Sequence, residues 1–160
     1  MGTRAADHGA WIERAIDLAV ESVASGGGPF GAVVTRGGEA VAEGFNRVTV
    51  AADPTAHGEV VAIRRAAERL GTHDLSGCVL YTSCEPCPMC VGAIAWARLD
   101  ACYYAASAAD AAAGGFDDQN FHEQVALPPA QREQPTRHLA ADRAMRPFEA
   151  WAARAGRVEY

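Results

Sequence analysis

Lysine is missing from this 160-residue chain, and all 14 of its basic residues are arginine. That imbalance reads as a base-composition effect. Positive charge is also scarce in total: 20 acidic residues leave a formal net charge of −6 and a pI near 5.3. A protein whose main task is to grip a polyanion shows a basic face, and here the arginines are scattered, so no nucleic-acid partner is expected. Arg64, Arg65 and Arg69 gather beside Glu68 and read as a solvated helix face. Long hydrophobic runs are absent too. The longest, around Val91 to Ala97, falls far short of the ~20 apolar residues a bilayer span needs, so no membrane association is expected. Met1 to His8 contain no apolar segment of the kind a secretory signal requires. Internal repeats are lacking, and nothing marks a second domain. Cysteines number five, an odd count, and three of them crowd into Cys84 to Cys90. That pattern argues against a disulfide framework and for metal chemistry in a reducing compartment, hence a cytoplasmic protein.

What remains is ordinary globular composition, 49% apolar and 21% charged, enough to bury one core across residues 1–160. Trp11 to Ser25 carries an apolar stripe at helical spacing, and Gly26-Gly27-Gly28-Pro29 stops it. Phe30 to Thr35 and Ala40 to Phe45 flank the turn Arg36-Gly37-Gly38-Glu39 and predict a hairpin. Asn46 to Thr55 reads as an irregular connection and His57 to Leu70 as a second helix. A strand follows at Cys78 to Thr82, then a tight loop over Ser83 to Pro86. Cys87 to Arg98 is apolar on nearly every side, so it should be buried or lie at a subunit contact. Ala101 to Ala106 is a further strand, and strand–helix–strand implies a parallel pair inside a mixed sheet. Beyond Ser107 the pattern weakens, with a short terminal helix over Pro147 to Ala155.

Two short motifs stand out from this frame. His57-Gly58-Glu59 and Pro86-Cys87-Pro88-Met89-Cys90 together read H-x-E … P-C-x-x-C, the signature of the zinc nucleobase deaminases. Their physical sense is direct. His57, Cys87 and Cys90 offer one imidazole and two thiolates, a set that suits one Zn²⁺ and leaves its fourth tetrahedral position to water. Cys87 and Cys90 lie three apart at a helix start, which puts both sulfurs on one face of its first turn and favours thiolate. Zinc brings the pKa of its water to about neutrality. Glu59, spared from ligation, can then move protons as general acid and base. Two other readings of the cysteines are weaker. An iron–sulfur run over Cys84, Cys87 and Cys90 wants a fourth cysteine at suitable spacing, whereas Cys78 and Cys102 sit in apolar strands. A purely structural zinc site wants a fourth protein ligand, for which His73 is the only spare. Cys84 is expected to pack in the loop beneath the metal.

Over almost its whole length the chain resembles the cytidine-deaminase-like superfamily, and within it the bacterial guanine deaminase branch most closely. The residues that carry the likeness are Gly28-Pro29-Phe30-Gly31-Ala32-Val33, Asp53-Pro54-Thr55-Ala56-His57 and Leu80 to Cys90. Gly92-Ala93-Ile94, Trp96-Ala97-Arg98, Gly115-Phe116-Asp117-Asp118 and the final Glu159-Tyr160 continue it. The middle segments are shared with tRNA adenosine deaminases; the Gly-Phe-Asp-Asp and Glu-Tyr elements belong to the guanine branch. The resemblance implies a three-layer α/β/α fold around a mixed five-stranded sheet. It also implies a homodimer that exchanges C-terminal segments, about residues 120–160. By the same likeness the substrate is a small free nucleobase, guanine giving xanthine and ammonia, and Asn46 bonds the base. Asp118 recognises the amino group or shuttles protons, Phe30 and Trp96 wall the pocket, and Tyr160 closes a pocket, its own or its partner's. One position departs from the family, which usually carries alanine where this chain has Gly58. The backbone N–H there faces substrate in such sites, so loss of the methyl bears on substrate range. Another aminated heterocycle (a cytosine analogue, an aminotriazine, a pterin or a nucleoside) stays open as substrate. A tRNA adenosine deaminase and a non-catalytic zinc-stabilised module are the remaining alternatives.

Overall fold

Alternation of apolar residues along the strands decides which helix covers which face. The computed structural model describes residues 7–116 and 118–160; Met1 to Ala6 and Asp117 of the Gly-Phe-Asp-Asp element lie outside them. The chain divides into two compact units, Met1–His122 and Glu123–Tyr160.

In the first unit, α1 (His8–Ala24) leads into the hairpin β1 (Gly31–Arg36) and β2 (Glu39–Phe45). A single helical turn, α2 (Val48–Ala51), interrupts the connection read as irregular, before α3 (Gly58–Leu70). The parallel unit β3 (Cys78–Cys84), α4 (Pro88–Trp96) and β4 (Ala101–Ala106) follows. The sheet order is β2-β1-β3-β4, with β1 antiparallel to both neighbours and β3 parallel to β4. Along β1, Val33 packs with Ala15 and Leu18 of α1 on one face. Ala32 and Val34 pack with Ala62 and Ala66 of α3 on the other, together with Leu75, Cys78 and Leu80. Helix, sheet and helix thus form the three layers, and period-two patterning of Val and Ala is what sorts them.

One expectation is corrected. The sheet has four strands among the described residues, not five. After β4 the chain turns at a Ser107–Asp110 capping box into α5 (Ala108–Ala113), and α6 (Gln119–Ala126) follows. Alanine runs and then Pro128, Pro129 and Pro135 leave no alternating β-branched segment to supply a fifth strand. Helix α4 buries only Cys90, while Met89, Val91 and Trp96 are exposed, so of the two alternatives for this apolar helix burial within the chain falls away and a subunit contact is left. Arg64, Arg65 and Arg69 of α3 are exposed beside Glu68, as a solvated face requires, and two of them also reach the sheet. Arg65 donates to the Glu43 carbonyl at 2.9 Å and Arg69 to the Val41 carbonyl at 2.7 Å. They occupy the open carbonyls of edge strand β2 and so blunt it against further pairing.

The second unit holds a 3₁₀ turn (Pro129–Gln131) and α7 (Arg146–Ala153). Thr136 N–H closes back on the Pro129 carbonyl at 3.0 Å, and Trp151 meets Tyr160 edge to face at 6.4 Å. None of its residues is buried, and Leu139, Met145 and Phe148 are exposed.

Candidate active site

Two helix starts bring the motif residues together. His57 is the N-cap of α3 and Cys87 the N-cap of α4, both in extended backbone conformation, and neither side chain makes a capping bond to its helix. Each is turned instead toward a common point. His57 Nδ1 lies 3.6 Å from the Cys87 sulfur and 3.6 Å from the Cys90 sulfur, and the three ligand atoms all fall within 4.8 Å of one another. Pro88 at the first position of α4 gives up an N–H that would have no partner in the helix. The donor set, one imidazole and two thiols in a tight partly buried cluster, fits one tetrahedral Zn²⁺ per chain with an open position.

The electrostatics of the cluster hold one sulfur ionised and keep protons on its two partners. The sulfurs share one proton between them. The hydrogen bond from Cys90, aided by His57, holds the Cys87 thiol down to about 4, and the same bond together with burial holds Cys90 well above the ordinary thiol range. The contact with Cys87 raises His57.

Glu59 sits in the first turn of α3 and is 6% exposed. Burial raises its carboxyl, the condition of a group that must hold a proton between transfers. A cavity of about 320 Å³ opens beside it, lined by His57, Glu59 and Cys87 together with Phe30, Asn46, Phe116 and Asp118. That volume is in the range of small-molecule sites. Phe30 and Phe116 meet edge to face at 5.0 Å. Asn46 is pinned on every side. Its N–H bonds the Phe30 carbonyl at 2.8 Å, its carbonyl accepts from Ser22, and its Oδ1 accepts from the N–H groups of Gly28 and Val48 at 3.2 Å each. With Oδ1 engaged, the amide –NH₂ is the end left for a ligand. Asp118 pairs with His122 at 3.8 Å.

The structure thus brings His57, Glu59, Cys87, Cys90, Phe30, Asn46 and Asp118 to one place. Trp96 is 67% exposed and borders a surface depression with Ala95 and Arg98, outside the cavity. The reason is length: eight residues at ~1.5 Å each separate the far end of α4 from the cluster at its start. Gly58 does not line the cavity either. A Cβ there would face Phe30 O at 3.1 Å and Gly31 Cα at 3.4 Å, so a side chain at this position would meet the backbone at the start of β1. Tyr160 belongs to the second unit. Lining residues the sequence reading passed over include Thr49, Glu85, Ala108, Ala111 and Phe121. Cys84 also lines the cavity and is not simply loop packing; it donates to the Ser107 carbonyl at 3.8 Å, and burial pushes its thiol up to about 11. Only Glu85, charged and next to Pro86-Cys87, offered a signal.

Comparison with known proteins agrees with this site. Residues 5–106 match the model of the cytidine and deoxycytidylate deaminase zinc-binding region. Guanine deaminase of Bacillus subtilis (strain 168) is 48% identical over 155 residues, 96% of this chain and 99% of that protein. Its crystal structure superposes with a TM-score of 0.93 over the same 96% and 99%. A guanine deaminase from Nitrosomonas europaea is 37% identical, with a TM-score of 0.67 over 73% of this chain and 68% of that one. The tRNA-specific adenosine deaminase of Aquifex aeolicus is 41% identical, but over only 49% of this chain and 52% of its own length.

Proposed function

The chain belongs to the cytidine and deoxycytidylate deaminase zinc-binding family, and from that premise we propose that it hydrolyses the amine of a free nucleobase, converting guanine and water to xanthine and ammonia. The observation that carries the reading is the placement of buried Glu59 on the same helix start as His57, beside a cavity that the three-ligand cluster borders.

His57, Cys87 and Cys90 would hold a Zn²⁺, which when bound would acidify a water to about neutral pH. Glu59 would take one proton from the attacking water and pass it to the ring nitrogen beside the carbon that bears the amine. Glu59 would then take the second proton, from the hydroxyl now on that carbon, and deliver it to the amine, which leaves as ammonia while the carbon becomes a carbonyl. Asn46 donates from its fixed amide to an acceptor on the base, and Asp118 accepts from the amino group. Phe30 and Phe116 give the flat ring an apolar wall.

The net charge of −6 and the half-length match to the tRNA enzyme both favour a small free base over tRNA. The second unit has no buried residue and α4 shows exposed apolar side chains. Both features support a homodimer with exchanged C-terminal segments and Tyr160 closing a pocket. Clustered thiols suit a reducing, cytoplasmic setting. No helix among the described residues is long and apolar enough to cross a membrane.

Ammonia release by zinc-loaded protein across purines, pyrimidines, pterins and aminotriazines is the test. Guanine should give the highest kcat/KM. Glu59→Gln should keep its zinc and lose about 10²- to 10⁴-fold in kcat. No turnover of any base by the parent protein would sink the proposal.

A further inference from the structure

Glu85 lies between the end of β3 and Pro86-Cys87, and none of the catalytic steps above uses it. Its backbone N–H bonds the Ala106 carbonyl at 2.8 Å. Its side-chain Oε2 accepts from the Ala108 N–H at 2.9 Å. Ala108 is the first residue of α5, whose capping box is local: Ser107 Oγ accepts from Asp110 N–H, and the Asp110 carboxylate accepts from Ser107 N–H. This helix has six residues, no buried side chain and the sequence Ala-Ala-Asp-Ala-Ala-Ala. So short a helix is unstable by itself, and its caps decide whether it forms. Its Ala108 and Ala111 line the cavity, as do Phe116 and Asp118 beyond its end.

We infer that Glu85 is a positioning residue, whose carboxylate ties the start of α5 to the metal-ligand loop and thereby holds Phe116 and Asp118 against the substrate cavity. The role rests on the deaminase reading of the site. It is set by an acceptor at one atom, not by a contact to the base. An acceptor without charge should therefore suffice, and removal of the Ala108 donor should be as harmful as removal of Glu85.

Three variants test this: Glu85→Gln, Glu85→Ala and Ala108→Pro. Proline deletes the donor at a first helical position, where it is otherwise tolerated, and Ser107, at ψ 167°, already has the extended form a residue before proline needs. All three should retain one zinc. Glu85→Gln should stay within about fivefold of the parent kcat/KM, while Glu85→Ala and Ala108→Pro should each lose about 10- to 100-fold, mainly in KM, as for loss of one charge-assisted hydrogen bond. Amide exchange across Ala108–Ala113 should quicken in the Ala and Pro variants and not in Glu85→Gln. That readout needs no turnover, so it stands even if the parent deaminates nothing. Equal losses in Glu85→Gln and Glu85→Ala beside a near-normal Ala108→Pro would overturn the inference and put the carboxylate on the ligand. Unchanged exchange in all three would overturn it as well.

Discussion

Gly44→Ala tests whether the metal site depends on how closely α3 can lie on the sheet. Gly44 is in β2, and a Cβ built there would stand 2.5 Å from Ala62 N, 2.6 Å from Gly58 O and 3.0 Å from Ala62 Cα. All three atoms belong to the backbone of α3, so no side chain can swing aside. To reach an ordinary contact near ~3.5 Å the helix must lift by about 1 Å. Overpacking of this kind costs ~1–3 kcal/mol, and a rigid backbone obstacle puts the cost at the upper end. The smaller conformational freedom of alanine in the unfolded chain returns ~0.4–1 kcal/mol. The net loss is then about 2 kcal/mol, or roughly 4–8 °C in Tm for a chain of this size. The same lift displaces His57, the N-cap of α3, from Cys87 and Cys90, and metal sites tolerate only ~0.2 Å, so zinc affinity should fall as well. Thermal unfolding with and without a chelator, and zinc competition against a coloured indicator, measure both effects. Gly92→Ala is the control: it lies in α4, and a Cβ there meets nothing within 4 Å, so helix propensity alone should stabilise it by up to ~1 kcal/mol. A Tm for Gly44→Ala equal to the parent, with zinc affinity unchanged, would refute the close-approach reasoning.

Gly58→Ala restores the residue usual in the family; with its Cβ directed at the Phe30 carbonyl, it should change stability by no more than ~1 kcal/mol and leave rate ratios among purines within about threefold. A large change in those ratios would show that the position reads the base after all. Zinc uptake near neutral pH should release protons from Cys90 and His57, both raised by their contacts with Cys87, and affinity should drop as pH falls because every ligand must be deprotonated; calorimetry in buffers of different ionisation enthalpy counts the protons. Arg14→Ala removes a two-pronged pair to Glu43 at 2.8 and 2.7 Å and should cost at most ~1 kcal/mol, since both groups are about a third exposed. Arg14 holds the Glu43 carboxyl below its ordinary 4.5, so this contribution is present above that value and fades as pH falls through the lowered one; parent and variant should converge in stability in acid.

How far the sequence reached depends on which residues act locally and which act through space. Short apolar runs bounded by turns and helices placed all four strands, and helical stripes placed α1 and α3, because each pattern is a property of one segment. The His57 and Cys87/Cys90 cluster was legible for the same reason: both motifs open a helix, and a helix start fixes where its first side chains point. Trp96 and Gly58 lie outside the lining of this cavity for reasons that only three dimensions show. For Trp96 it is the length of α4; for Gly58 it is the backbone of Phe30 and Gly31 that a Cβ would meet. Gly31 and Gly44 look like unremarkable strand glycines, yet a Cβ on the first would meet Ala15 O at 2.4 Å in α1 and one on the second would meet Ala62 N at 2.5 Å in α3. They set the two interlayer spacings from opposite faces of the sheet. Glu85 was hidden differently. Its partner is a backbone N–H 23 residues away, which no side-chain pattern announces. The zinc ligands are therefore readable from motif chemistry, while the walls that select the base are fixed by backbone approach and capping. A change of substrate within this fold should accordingly track residues such as Glu85, Asn46 and the α5 segment more than the His-x-Glu and Cys-x-x-Cys elements themselves.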